Sequence, residues 1–165
     1  MNQLYSEAGV KRKNDSKSML LRGLMVFAII VGVLLLLVGS YFAIAGVILI
    51  AAMIFLFPRL NVEYEYIFVD GQIDFDRITG GSRRKTILRI DLEQAEIIAP
   101  EGSHALDGYN NMQLEKKDFS SGDKNVKPYI VIVNKNEKKY RIAFEPNEKM
   151  LSMIKQKSPR KLNQY

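Results

Sequence analysis

An uninterrupted apolar block from Gly23 to Phe57 constrains this chain more than any other feature. These 35 positions, 23 to 57 inclusive, hold no charged residue, and their only polar side chains are Ser40 and Tyr41. As one helix the block would be about 52 Å long at 1.5 Å per residue, whereas the hydrocarbon core of a bilayer is about 30 Å thick. The block is therefore too long for one straight span and fits two short ones.

The middle of the block contains Gly39 and Ser40, where a tight turn is expected. The pattern predicts a transmembrane helical hairpin with helices at 21–38 and 41–57, each at the short end of the spanning range. Two other interpretations stay open. A single tilted span would place the C-terminal part outside, and a signal peptide could be cleaved at the small residues Ala43 to Ala45.

Basic residues flank the outer ends of the block and are absent from its central turn, which predicts that both ends lie in the cytoplasm. The nearest of these membrane-flanking cations are Lys17, Arg22 and Arg59. We therefore expect a multi-pass protein of the plasma membrane, in which residues 1–20 form a basic cytoplasmic tail.

The net charge of +6 does not indicate nucleic-acid binding. Residues 1–22 hold five cations and two anions, so much of the excess lies beside the apolar block, where it suits orientation and anionic lipid headgroups. A basic groove with stacked aromatic residues, which nucleic-acid binding would require, is not evident. The chain has no cysteine, which excludes disulfides, thiolate chemistry and cysteine metal sites.

Residues 61–98 alternate with the period of two that is typical of β-strands, and Asp70-Gly71 is a strong hairpin signal. A two-residue turn there predicts the cross-strand pairs, which are Phe68 with Ile73, Tyr66 with Phe75, and Tyr64 with Arg77. The last pair predicts a cation–π contact. On the opposite face Glu65 would lie against Asp76, and such opposed like charges destabilise a sheet.

The basic run Arg83-Arg84-Lys85 follows a Gly-rich turn. If residues 79–82 form a four-residue loop, Lys85 lies beside the acidic pair of the preceding hairpin and relieves its repulsion. Arg83 and Arg84 then have no structural partner. We therefore take Arg83, Arg84 and Lys85 as candidate contacts to an anionic lipid or a partner protein, with an ordinary solvated basic turn as the alternative. Looser candidates are Lys116, Lys117 and Lys124.

The C-terminal part continues with apolar strands at 129–133 and 139–144 and then a helix at 146–157, in which Pro146 suits the first turn. Residues 158–165 are expected to form a tail, and no element is assigned within 101–127. The element order predicts a mostly antiparallel β domain over 61–157, a partly open barrel with its C-terminal helix covering one end.

Several segments carry a family resemblance, namely NVEYEYIFVDGQIDFDRI, SRRK, IIAPEGSHALDGYNN, DFSSGD, FEPNEKML and SPRKL. They resemble an uncharacterised family of small bacterial membrane proteins with two N-terminal transmembrane helices and a pleckstrin-homology-like (PH-like) cytoplasmic domain. The resemblance implies a membrane-anchored α+β fold and implies no activity.

The sequence offers no catalytic constellation. His104 is the only histidine, and no nucleophile–base pair is apparent beside it. The acidic residues of the first hairpin are interpreted as a charged outer face of the sheet, and Gly80-Gly81 lacks P-loop spacing. We expect no enzyme activity, no cofactor and no metal site.

The sequence thus predicts a non-enzymatic integral membrane protein that presents a PH-like domain at the cytoplasmic membrane face. The domain would bind a protein partner or anionic lipid headgroups. The alternative is a subunit or assembly factor of a larger membrane complex, with the helical hairpin as its interaction element. The ligand, the partner and the oligomeric state stay open.

Overall fold

A computed structural model describes residues 4–163 of the chain. Strand β1 (Tyr5–Lys11) comes first, followed by the long helices α1 (Ser16–Val38) and α2 (Ser40–Leu56) and a short 3-10 turn (Phe57–Leu60). The other strands are β2 (Val62–Val69), β3 (Gln72–Thr79), β4 (Arg83–Asp91), β5 (Ala95–Pro100), β6 (Glu115–Asp118), β7 (Tyr129–Lys135) and β8 (Lys138–Phe144). A second 3-10 turn (His104–Tyr109) precedes β6, and helix α3 (Glu148–Lys157) follows β8.

The strands form two four-stranded sheets, ordered β1-β2-β3-β4 and β5-β7-β8-β6. All neighbours are antiparallel except β6 and β8, which run parallel. Apolar side chains from both sheets form one core, in which the rings of Tyr66, Phe75 and Phe144 meet edge to face. Helix α3 adds Met150 and Ile154 to this core. The predicted partly open barrel with a C-terminal helix is therefore confirmed.

The hairpin register predicted from Asp70-Gly71 is also confirmed. Phe68 pairs with Ile73 and Tyr66 with Phe75. Asp70 and Gly71 both have positive φ, as this kind of two-residue turn requires. The predicted cation–π contact of Tyr64 is different, however. The cation above the Tyr64 ring is Arg12, at 5.9 Å from the ring centroid, and not the cross-strand neighbour of Tyr64.

The structure corrects the predicted N-terminal tail, because residues 5–11 form a strand of the first sheet. Strand β1 pairs with β2 along its whole length, from Tyr5 with Val69 to Lys11 with Glu63. Two of its three inward side chains are small: Ser6 is fully buried, and Ala8 packs against the core beside Val10. Such small residues give little apolar periodicity, so the sequence pattern does not predict this strand. Its formation depends on pairing with β2.

The two apolar helices are therefore inserted into the connection between two paired neighbouring strands. By length and composition both could cross a membrane, α2 together with the 3-10 turn that extends it to Leu60. They separate at Gly39, whose φ of 77° is readily adopted only by glycine. They pack closely where Gly32 meets Gly46, since a Cβ added to Gly46 would lie 2.5 Å from the Gly32 carbonyl oxygen.

The helix boundaries differ from those predicted. Helix α1 begins at Ser16 instead of residue 21, because the Asp15 carboxylate accepts a hydrogen bond from the Ser16 backbone N–H at 2.8 Å and caps it. Lys17 and Arg22 consequently lie inside α1. Helix α2 ends at Leu56, and the chain continues as the 3-10 turn around Pro58.

The C-terminal end also differs. Asn147 caps α3 by accepting a hydrogen bond from the Met150 N–H at 2.8 Å, so Pro146 precedes the helix instead of lying in its first turn. The described part of the predicted tail is ordered, because Ile98 exchanges backbone hydrogen bonds with Lys161 and Asn163. Residues 164–165, like residues 1–3, lie outside the described part.

The β1 pairing predicts how soluble forms of the domain behave. A fragment of residues 61–165 lacks β1, whereas a chain in which a short Gly-containing turn replaces residues 14–60 keeps it. We expect the fragment to be less stable by several kcal/mol, at about 1.5–3 kcal/mol for each large apolar side chain that β1 no longer covers. Urea unfolding of the two proteins measures the difference, and equal midpoints would contradict the role assigned to β1.

Candidate functional site

The basic run Arg83-Arg84-Lys85 begins β4, directly after a turn of only three residues. Gly80 and Gly81 both have positive φ, at 64° and 74°, which favours glycine at both positions. Thr79 therefore pairs with Arg83, and Ile78 pairs with Arg84. The predicted four-residue loop is wrong by one residue.

This slip of one residue moves each basic side chain to the other face of the sheet, since the side chains of a strand alternate. Arg84 reaches the acidic face and forms ion pairs with Glu65 and with Asp76, the latter at 3.8 Å. Lys85 lies opposite Arg77 instead. Arg84, and not Lys85, is thus the cation that relieves the Glu65–Asp76 repulsion.

The acidic pair needs this partner because it is shielded from water. The Asp76 side chain is only 5% exposed and that of Glu65 20%. The Asp76 Oδ1 atom is buried and has no hydrogen-bond partner among the described residues. Arg84 consequently has a structural role, and its availability to a ligand is reduced.

Arg83 lies in a different environment, because the turn before it packs against the 3-10 turn that follows α2. The Gly80 N–H donates to the Asn61 carbonyl at 3.0 Å, and a Cβ on Gly80 would lie 3.5 Å from the Pro58 carbonyl oxygen. A cleft of about 590 Å³ opens between the turn and the helix. Its lining residues are Ala51, Ile54, Phe55, Pro58, Arg59, Thr79, Gly80, Ser82 and Arg83.

The cleft combines an apolar wall with two cations. Helix α2 supplies Ile54 and Phe55 to the wall, and the guanidinium of Arg59 lies over the Phe55 ring at 4.3 Å. Within residues 4–163 neither Arg59 nor Arg83 forms an ion pair, so no carboxylate neutralises them. Of the three predicted contact residues, the structure brings only Arg83 to this cleft.

The other cations predicted to flank the membrane differ from Arg59. The Arg22 guanidinium donates to the Asn61 side-chain carbonyl at 2.9 Å and thereby ties α1 to the start of β2. Lys17 is exposed in the first turn of α1. Of the looser candidates, Lys117 pairs with Glu115 at 2.7 Å, and Lys116 and Lys124 line clefts away from the β3–β4 turn.

A second set of contacts holds the segment between β1 and α1. Arg12 pairs with Asp118 at 3.1 Å and Lys13 with Asp123 at 2.6 Å. The hydrogen bond from Lys13 lowers the pKa of Asp123. Burial raises the pKa of Asp118, but hydrogen bonds from Ser120 and the charge of Arg12 outweigh it and leave that pKa lowered. Both carboxylates are therefore ionised at neutral pH and hold the basic segment.

The residues considered for catalysis are dispersed or already paired. The His104 ring is fully exposed, with Nδ1 3.1 Å from an Asp107 oxygen. Asp74 forms an ion pair with Arg89 at 2.5 Å. Over residues 4–163 no group of three or more histidine, aspartate or glutamate side chains converges as a set of metal ligands.

Comparison with known proteins identifies one family. The family model described as "Bacterial PH-like domain (DUF6106)" matches residues 2–164, which is nearly the whole chain and includes both apolar helices. No curated protein and no solved structure matches the chain.

The ion pairs of Arg84 lead to a prediction about stability. Replacing Arg84 with Gln leaves the shielded Asp76 and Glu65 charges opposed and uncompensated. We expect a loss of about 1–3 kcal/mol of unfolding free energy, because the arginine is itself half exposed and its contribution is screened. The matched change Lys85→Gln should alter it by less than about 0.5 kcal/mol. Chemical denaturation measures the unfolding free energy of both variants. Adding Asp76→Asn to Arg84→Gln should restore part of the loss.

A larger loss in Lys85→Gln than in Arg84→Gln would contradict the observed strand register.

Proposed function

We propose that this chain, which belongs to the bacterial PH-like domain family, is a non-enzymatic integral membrane protein that holds its domain at the cytoplasmic face of the plasma membrane. There the domain binds anionic lipid headgroups or a protein partner. The observation that carries the proposal is the insertion of two apolar helices between the paired strands β1 and β2.

The strand pairing supports two spans over the other interpretations of the apolar block. A single span would leave β1 and β2 on opposite sides of the bilayer, where they could not pair. Cleavage after Ala45 would remove β1 altogether. Two antiparallel spans return the chain to the side from which it left, as the β1–β2 register requires.

The charge distribution supports the cytoplasmic side for the domain. Lys17, Arg22 and Arg59 all lie at the domain end of the hairpin, whereas Gly39 and the residues beside it carry no charge. Cytoplasmic flanks of membrane helices are enriched in such cations.

A binding role fits the close attachment of the domain. Contacts of Arg22 with Asn61 and of Lys13 with Asp123 tie the domain to both ends of the hairpin. PH-like domains are generally non-catalytic. A surface held at a fixed orientation to the bilayer suits recognition of something at the membrane.

The alternative, a subunit whose hairpin packs into a larger membrane complex, is less favoured by the helix contact. Small residues commonly allow membrane helices to approach closely. Here Gly32 and Gly46 are used for packing within the hairpin itself. The outward apolar side chains, such as Leu37 and Tyr41, need only lipid to cover them.

Topology can be tested cleanly because the chain has no cysteine. We expect Tyr41→Cys, beside the central turn, to react with a membrane-impermeant maleimide on intact bacteria. Glu101→Cys, exposed on the domain, should react only after lysis. The cysteine-free chain is the control, and labelling of Glu101→Cys on intact cells would refute the cytoplasmic placement.

Exchanging the helical hairpin distinguishes a membrane-anchored binding module from a subunit of a larger membrane complex. Residues 23–57 are replaced by an unrelated two-span hairpin, and the native mass of the gently solubilised protein is compared with that of the unaltered chain. We expect the same native mass after correction for the exchanged segment, because an anchor acts only through the bilayer. A larger complex that forms only with the original hairpin would support the subunit.

A further inference from the structure

We infer that the cleft between α2 and the β3–β4 turn binds an anionic phospholipid, with the phosphate held by Arg59 and Arg83 and an acyl chain against α2. The inference rests on the proposed membrane anchoring. It narrows the proposed binding role to one ligand class and one site.

The position of the cleft points to a membrane lipid. Helix α2 has 17 residues, about 26 Å in length, and a bilayer's hydrocarbon core is about 30 Å thick. The last turn of a spanning α2 therefore lies near the headgroup boundary. Ile54 and Phe55 in this turn are 64% and 63% exposed, so the apolar wall of the cleft continues the lipid-facing surface of the helix.

The polar side of the cleft suits a phosphate. Arg59 and Arg83 reach it from two different elements, and both lack a carboxylate partner within the described chain. A guanidinium offers several N–H donors in a fork that matches phosphate oxygens. The Arg59 guanidinium carbon lies 4.3 Å from the centroid of the Phe55 ring, a cation–π contact that holds the side chain at the cleft without using its N–H donors in an ion pair. The Ser82 hydroxyl adds a further donor to the lining.

The combination of an apolar wall with two cations favours a phospholipid over a free phosphate. A free phosphate would occupy the end near Arg59 and Arg83 but would leave the Ile54 and Phe55 wall uncovered. A phospholipid covers both parts with one molecule and is already present at the headgroup level. Arg84 is excluded from the site because its guanidinium faces Glu65 and Asp76.

The test uses the full-length chain in nanodiscs that contain spin-labelled phosphatidylglycerol or spin-labelled phosphatidylcholine. Electron paramagnetic resonance measures the fraction of lipid immobilised by the protein. We expect the unaltered chain to prefer phosphatidylglycerol. The variant Arg59→Gln/Arg83→Gln should lower that preference by about fivefold for each charge removed.

A matched control removes two cations at the opposite end of the domain. Lys157 lines a cleft together with Gly71 of the β2–β3 turn, and Arg160 is exposed nearby in sequence. The variant Lys157→Gln/Arg160→Gln should keep the preference. Thermal unfolding of both variants in the discs verifies that they are folded.

Each other outcome identifies what has failed. An unchanged preference in Arg59→Gln/Arg83→Gln, or none in the unaltered chain, overturns the cleft as a lipid site while the anchoring stands. Thermal stabilisation of the unaltered chain by inorganic phosphate, in discs where it shows no preference for phosphatidylglycerol, overturns the lipid in favour of the free anion. Failure of the chain to enter nanodiscs refutes the membrane anchoring itself.

Discussion

The pairing of β1 with β2 is the interaction on which the rest of the structure depends. Seven residue pairs join a strand that precedes the apolar helices to one that follows them. The two helices must therefore leave and re-enter the domain side by side, which brings Gly32 and Gly46 together along the hairpin. The helices are thus part of the domain's own topology, inserted into one of its strand connections, and differ from an anchor attached at one end.

This insertion leaves the domain little freedom relative to the helices. Only residues 12–15 separate β1 from α1, and ion pairs to Asp118 and Asp123 hold the first two of them. At the other end Asn61 accepts from Arg22 and from the Gly80 N–H. A domain on a flexible linker samples many orientations and binds its ligand at an effective concentration set by the linker. Under the proposed anchoring, the surface beside the helices is held next to the bilayer, so even weakly binding side chains there act at high local lipid concentration.

How much the sequence predicts depends on how strictly each turn determines the strand register. Asp70-Gly71 allows only a two-residue turn, so the β2–β3 pairs were predictable. Gly80-Gly81 fits loops of three or four residues, and nothing local decides between them. Strand β1 could not be predicted, since Val10 is its one large inward apolar residue, Ser6 and Ala8 carry almost no hydrophobic signal, and the strand forms by pairing with the distant β2. The ordered segment after α3 likewise depends on a distant partner, Ile98.

The register of β3 with β4 also determines which residues form the candidate site. Three consecutive cations on a strand cannot share one face, so Arg83, Arg84 and Lys85 were never able to act as a single patch. The three-residue turn directs Arg84 toward Glu65 and leaves Arg83 beside α2. Its partner in the cleft is Arg59, which is distant in sequence and which the sequence assigned only to orientation. A cation at the end of a membrane-spanning helix lies at headgroup depth, so under the proposed anchoring orientation and headgroup binding require the same charge at the same place. The sequence alone does not identify the second cation of the site, because only the folded turn brings Arg83 to the end of the helix.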